Sequence, residues 1–261
     1  MLTYPEIDPI AVTLGPIKVH WYGLMYLIGF AFVWLVGKKR ALMASSPVTP
    51  LQVEDLVYYG ALGVVLGGRI GYVLFYNFSQ FLADPLMLFK IWQGGMSFHG
   101  GMLGVFIAMW WFSKNVQCQL FELTDFIAPL SPIGLLAGRI GNFINSELWG
   151  RTTDVPWGMV FPNGGPLPRH PSQLYEAFLE GAMLYLILWW YTRKLRPMMA
   201  ATGMAIGMYG VFRFTVEFFR MPDAHLGFIA LDWLTMGQIL STPMIIIGAG
   251  LIYFAYSNKH S

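Results

Sequence analysis

Long apolar runs recur along this chain with very few charges inside them, and that pattern leaves it only a narrow choice of folds. A helix that crosses a bilayer needs about 20 consecutive, mostly apolar residues, because each residue adds about 1.5 Å of rise. About seven stretches meet that requirement: 19–37, 56–76, 97–113, 119–137, 172–191, 201–219 and 235–256. Between them the chain is poor in charge. Only 11% of its 261 residues are Asp, Glu, Lys or Arg, against about a quarter in a soluble domain, too few to coat a water-facing surface. The ten tryptophans suit a protein anchored at two membrane–water interfaces. The expected fold is an all-α, polytopic integral membrane protein.

The cations orient it. Lys38, Lys39 and Arg40 follow the first run, Lys114 the third, Arg193, Lys194 and Arg196 the fifth, and Lys259 the last. Positive residues gather on the cytoplasmic side of spans, so the N-terminus is expected outside and the C-terminus inside. Residues 1–18 become an outer arm; they lack a basic segment ahead of an apolar one and do not read as a cleaved signal peptide. Residues 78–95, with Asp84-Pro85 and apolar residues around Lys90, read as a short helix in the interface plane. Residues 145–171, punctuated by Pro156, Pro162, Gly164, Gly165, Pro166, Pro168 and Pro171, read as a small cap on the outer side. All of this belongs to one transmembrane domain spanning 1–261.

Several classes of function are excluded. No basic run interleaved with aromatics speaks for nucleic acid. The single cysteine, Cys118, rules out an internal disulfide framework and a multi-cysteine metal site, and it reads as an inert residue in a cytoplasmic break. No cluster of acidic ligands calls for a metal, and no other cofactor is expected.

Charged residues inside spans cost at least ~2.5–3.5 kcal/mol each, so they demand a partner or a task. Arg69, Arg139, Arg213, Asp125, Glu176, Glu180 and Glu217 all fall in or near the apolar runs. They either pair with one another as interhelical glue or bind something. Tyr209, Arg213 and Glu217 lie four apart and share one helix face, with Arg220 beyond them. Arg139 is followed by Asn142, Asn145, Glu147 and Gly150, a set of forked donors and small residues suited to a phosphate or to a helix end. Gly68-Arg69-Ile70-Gly71 recurs as Gly138-Arg139-Ile140-Gly141, an echo too short to establish a repeat. His99 stands among glycines (94–101) at a helix start, where it is either structural or a proton acceptor near an anion. His20 beside Trp21-Tyr22 fits an aromatic belt, and Ser172 after Pro171 fits a helix N-cap. An anion or lipid transporter without covalent chemistry is the alternative to an enzyme.

Taken together, His20-Trp21-Tyr22-Gly23, the 94–101 glycine segment, GRIGNFINSELWGR at 138–151, RHPSQLYE at 169–176 and YGVFRFTVEFFR at 209–220 resemble the bacterial phosphatidylglycerol–prolipoprotein diacylglyceryl transferases over nearly the whole chain. Two departures stand out: Ser146 replaces an expected glycine, and the segment between Gly150 and Arg169 is shorter than in some relatives. The resemblance implies an inner-membrane enzyme, active toward the periplasm. Its partners would be phosphatidylglycerol, the lipobox cysteine of a prolipoprotein signal peptide, and membrane lipids. By motif position it implies His99, Arg139 and Arg213 as catalytic residues. Tyr22, Asn142, Glu147, Gly150, Tyr209 and Glu217 would bind or support the lipid head group.

Overall fold

The computed structural model describes residues 2–90, 94–222, 227–231 and 233–257. In chain order the elements are strands β1 (Leu2–Thr3), β2 (Ile10–Leu14) and β3 (Ile17–His20), then helices α1 (Trp21–Arg40), α2 (Pro50–Tyr76) and α3 (Phe78–Ala83). A 3₁₀ turn (Pro85–Phe89) leads to α4 (Phe98–Asn115), α5 (Leu120–Ile127), α6 (Ser131–Ile144) and strand β4 (Met159–Val160). Helix α7 (Ser172–Glu176) runs into a π-helical segment (Ala177–Met183) and on into α8 (Leu184–Tyr191), followed by α9 (Ala200–Val216) and α10 (Met236–Ser257). The chain is mostly helical. Among the described residues α1, α2 and α10 are long and apolar enough to cross a membrane; α5 with α6, bent by 52° at their break, adds a fourth candidate. The break falls at 128–130 beside Pro129 and Pro132, neither of which offers an amide to an unbroken ladder. Arg139 therefore lies inside α6 rather than just past the end of a 119–137 helix.

Two compact units can be distinguished, Met1–Val33 with Thr124–Ser261, and Trp34–Leu123. The second is dominated by α2 against α4. The Thr49 side chain accepts from the Gln52 amide while Gln52 reaches back, and Pro50 opens the helix without wasting a donor, which fixes where α2 begins. Glycines let α2 and α4 touch backbone to backbone: a methyl group at Gly63 would stand 2.7 Å from the Gly104 carbonyl oxygen, and one at Gly71 2.7 Å from the Gly100 Cα. Such small-residue seams are how helices associate where lipid removes the hydrophobic drive. The same device joins α9 to α10 in the first unit at Gly203 and Gly248. Asp125 of α5 caps α9, accepting from the Met199 amide at 2.8 Å and the Thr202 amide at 2.7 Å.

The expected interfacial segment 78–95 contains α3 and the 3₁₀ turn, with Phe78, Leu82, Leu86 and Phe89 exposed. Ile91 and Trp92, counted in it from the sequence, lie outside the described residues, as does Lys259. Residues 10–20, expected as part of an arm and the start of a span, form an antiparallel hairpin of β2 and β3 instead. In the 145–171 segment, β4 pairs in parallel with β1.

Candidate functional site

Three helical segments of the first unit bring charge to one place. Gly181, in the π segment, allows that segment to press on α6 at Leu136: a methyl there would come within 2.8 Å of the Leu136 Cα. That approach carries Glu176 and Glu180 to Arg139. Arg139 Nε sits 2.6 Å from Glu176 Oε2, and its Nη2 3.4 Å from Glu180 Oε2. From α9, Arg213 Nη1 lies 3.2 Å from Glu176 and 3.7 Å from Glu180, and its Nη2 2.8 Å from Glu217 one turn later. Arg220 reaches Glu176 at 3.7 Å and Glu217 at 3.9 Å. Tyr209 faces the same groups, with Glu180, Arg139 and Arg213 in electrostatic range of its phenol. The expected stripe of Tyr209, Arg213 and Glu217 on one face of α9 is thus what the structure has. The pairing of charged residues across helices is also what it has.

Exposure differs between the two signs of charge. The side chains of Glu176, Glu180 and Glu217 are 1%, 0% and 4% exposed, whereas those of Arg139, Arg213 and Arg220 are 20%, 11% and 14% exposed. The arginine side chains thus keep more accessible surface than the carboxylates they pair with.

Around this core, the turn after α6 is tightly tied. Asn142 Nδ2 donates to Glu147 Oε1 at 2.8 Å, and Gln173 donates to the Glu147 carbonyl. Ser146 and Leu148 adopt φ of 53° and 56°. That left-handed backbone is why glycine would be at home at 146. Gly150 is wedged between two other segments: its amide donates to the His170 carbonyl at 2.9 Å, and an added methyl would meet the Phe219 carbonyl oxygen at 2.5 Å. Arg151 then donates to the carbonyls of Arg220 (2.9 Å) and Glu217 (3.2 Å), pinning the end of α9. Tyr22 packs on Gly141, 2.9 Å from where a methyl would stand, with its hydroxyl 3.4 Å from that of Tyr26 and with Glu147 and Arg139 nearby. Ser172 does not cap. Pro171 occupies the N-cap position, and the Ser172 hydroxyl donates to the Leu148 carbonyl at 3.0 Å.

Sequence reasoning missed a neighbouring feature. A largely apolar cavity of about 490 Å³ is lined by Val155, Leu174, Phe178, Val216 and Phe219, with a hydrogen-bonded chain at its edge: Trp157 Nε1 donates to the Tyr175 hydroxyl (2.7 Å), which lies 3.1 Å from His170 Nδ1. Burial and the nearby Arg151 hold the His170 imidazole below its ordinary range, keeping it neutral. The RHPSQLYE run was a visible signal for part of it.

In the second unit, His99 is exposed on the first turn of α4, with the Phe98 ring edge-on to its own. Ser97 caps that helix by accepting from the Gly100 amide at 3.2 Å. Arg69 is buried at 4% exposure and donates to the carbonyls of Met87, Leu88, Lys90, Gly94 and Gly95. No carboxylate lies within ion-pair distance of it among the described residues. The echo of Gly-Arg-Ile-Gly therefore does not carry a shared role: Arg69 binds carbonyls, Arg139 carboxylates. His20 is exposed at the end of β3.

A protein-family model described as prolipoprotein diacylglyceryl transferase matches residues 9–254. Relatives named phosphatidylglycerol–prolipoprotein diacylglyceryl transferase match over the full length. One from Coxiella burnetii (strain Dugway 5J108-111) is 60% identical over 259 residues, covering 99% of each chain. One from Methylococcus capsulatus is 60% identical over 260 residues, again 99% of each. One from Pseudomonas aeruginosa PAO1 is 59% identical over 256 residues, 98% of this chain and 96% of its own.

Proposed function

The chain belongs to the prolipoprotein diacylglyceryl transferase family, and we propose that its guanidinium–carboxylate cluster holds the lipid phosphate while the transfer takes place. The protein is a transferase that moves the diacylglyceryl group of phosphatidylglycerol to a prolipoprotein. The observation that carries the site assignment is the difference in exposure: the three carboxylate side chains are at most 4% exposed, whereas the three arginine side chains paired with them keep 11–20% of their surface accessible.

The chemistry follows from the bonds exchanged. The acceptor is a cysteine thiol at the lipobox, and it attacks as the thiolate. Its sulfur bonds to the glyceryl carbon, the carbon–oxygen bond to phosphate breaks, and that electron pair stays with oxygen. The phosphodiester monoanion departs as glycerol phosphate carrying one more negative charge, and a thioether remains on the lipoprotein precursor. Forked cations placed at that phosphate bind the departing dianion more strongly than the ground state, which lowers the barrier. Arg139 and Arg213 are the residues assigned to this task. Tyr22, Asn142 and Gly150 shape the space for the head group, Glu147 holds Asn142, and Glu217 and Tyr209 steady Arg213. His99 is assigned the thiol proton by its motif, a role worth about 10²–10⁴-fold where a general base operates.

The proposed setting is the bacterial inner membrane, with about seven spans, the N-terminus outside and the reaction toward the periplasm. Lys38, Lys39 and Arg40 at the end of α1, Lys114 at the end of α4, and Arg193 to Arg196 after α8 support that orientation.

The test is direct. Purified protein incubated with phosphatidylglycerol and a thiol-bearing lipobox peptide yields a peptide heavier by one diacylglyceryl group; Arg213→Lys, which loses the planar fork, falls at least about a hundredfold. Nearly full turnover by Arg213→Lys would remove forked phosphate recognition, and binding with no covalent product would favour a transporter.

A further inference from the structure

Resting on the reading that the phosphate binds at this cluster, we infer that head-group binding takes up one proton, and that Glu180 is the group that receives it. The first observation is a charge count. Arg139, Arg213 and Arg220 bring three positive charges to the ion-paired cluster, and Glu176, Glu180 and Glu217 bring three negative ones. A phosphodiester entering this neutral assembly leaves it with one uncompensated negative charge in a poorly solvated place. The cost of an unpaired charge there is large, and the usual relief is neutralisation by a proton.

The second observation says which carboxylate gives way. Glu176 is gripped at 2.6 Å by Arg139 and touches all three guanidinium groups. Glu217 is held at 2.8 Å by Arg213. Glu180 is fully buried, yet its closest cation contacts are 3.4 and 3.7 Å, longer than the 2.6 and 2.8 Å contacts that hold Glu176 and Glu217. Its partners are the very nitrogens a phosphate would claim, Arg139 Nη2 and Arg213 Nη1. Once those turn to the lipid, Glu180 is left beside Glu176 with no cation of its own. The phenol of Tyr209 is the remaining polar neighbour from α9. Two carboxylates that have shared a cation and then lose it favour holding one proton between them. No bond to the lipid is made or broken in this step; the proton comes from solvent and sits on Glu180 while the phosphate is bound.

The consequence is linkage: above neutral pH, lipid affinity weakens by up to about tenfold per pH unit, the limit for one proton per ligand. The experiment is calorimetric titration of the purified protein with a short-chain phosphatidylglycerol, in two buffers of different ionisation enthalpy, from pH 6 to pH 9. The wild type is expected to take up close to one proton per lipid on the alkaline side of that range. Glu180→Gln, already neutral and of the same shape, is expected to take up none, to bind with an affinity flat in pH, and to bind about tenfold more tightly than wild type at the alkaline end. Absence of proton uptake by the wild type overturns the inference without any variant being made, as does undiminished uptake by Glu180→Gln. The underlying site assignment fails separately: Arg213→Lys binding the lipid as tightly as wild type, or a wild type that binds none, would remove the cluster as the phosphate site.

Discussion

Adding a single methyl group at Gly181 should disable the enzyme from a position that touches no reacting atom. The new Cβ would stand 2.4 Å from the Leu136 Cβ, where ordinary contact begins at 3.4 Å, with the Leu136 Cα at 2.8 Å and the Leu136 nitrogen at 3.1 Å behind it. The Cα and nitrogen are backbone and the Cβ is fixed to them, so none can swing aside, and the π segment and α6 must separate by roughly 1 Å. Arg139 lies one turn beyond Leu136. Lengthening its 2.6 Å contact with Glu176 by that amount weakens the pair by about 2 kcal/mol at the effective dielectric of partly buried sites. Overpacking of this kind typically costs ~1–3 kcal/mol in stability, of which up to ~1 kcal/mol is returned because alanine favours a helix over glycine. Misplacing a catalytic group by about 1 Å lowers turnover on the order of a hundredfold. Gly181→Ala is therefore expected to melt several degrees lower and to transfer lipid about a hundredfold more slowly, measured by peptide mass gain under saturating phosphatidylglycerol. Gly134→Ala, on α6 itself, is the control, since a methyl there meets nothing within 4 Å; it should retain both stability and rate. Wild-type turnover by Gly181→Ala would mean that the close approach does not set the Arg139 geometry.

Ser146→Gly should stabilise the protein by about 1 kcal/mol, because it relieves a φ of 53° and removes a buried hydroxyl that has no hydrogen-bond partner; an unchanged or lower melting temperature would contradict this. Arg69→Lys should loosen the chain ahead of α4, since one ammonium carries three donors where the guanidinium serves five carbonyls, and each buried carbonyl left unpaired costs ~1–3 kcal/mol. Faster hydrogen exchange over 94–101 is the readout, and unchanged protection there would refute it.

What was legible in the sequence was what depends on local pattern. The apolar runs expected at 19–37 and 235–256 are helices at Trp21–Arg40 and Met236–Ser257 because composition alone determines them. The spacing of Tyr209, Arg213 and Glu217 fixed a shared face, and an ion pair at 2.8 Å follows from it. The hairpin at Ile10–His20 was missed although its signal was present: two β-branched runs flank Gly15-Pro16, and the membrane reading split its second strand between the outer arm and the first span. Pro129 and Pro132 likewise announced the 52° break between α5 and α6.

The remainder had no local signature, for a physical reason. A π-helical segment forms where packing forces an extra residue into a turn, and nothing in Ala177–Met183 encodes that demand; the backbone of α6 pressing on Gly181 does. The meeting of Glu176 and Glu180 with Arg139 and Arg213 unites residues 37 and 41 positions apart, which no local pattern encodes. The sequence could say that these charges needed partners. It could not say that each of these guanidinium groups would face two or three of the same carboxylates, nor that the arginine side chains would keep the greater accessible surface. Arg69 and Arg139 make the same point from the other direction: four identical residues, Gly-Arg-Ile-Gly, surround both, yet one arginine ends among carbonyls and the other among carboxylates. A buried arginine is thus read by what the tertiary packing brings to it, and among the described residues Arg139, Arg213 and Arg220, paired with carboxylates yet still partly accessible, carry the charge arrangement that the proposed phosphate site calls for.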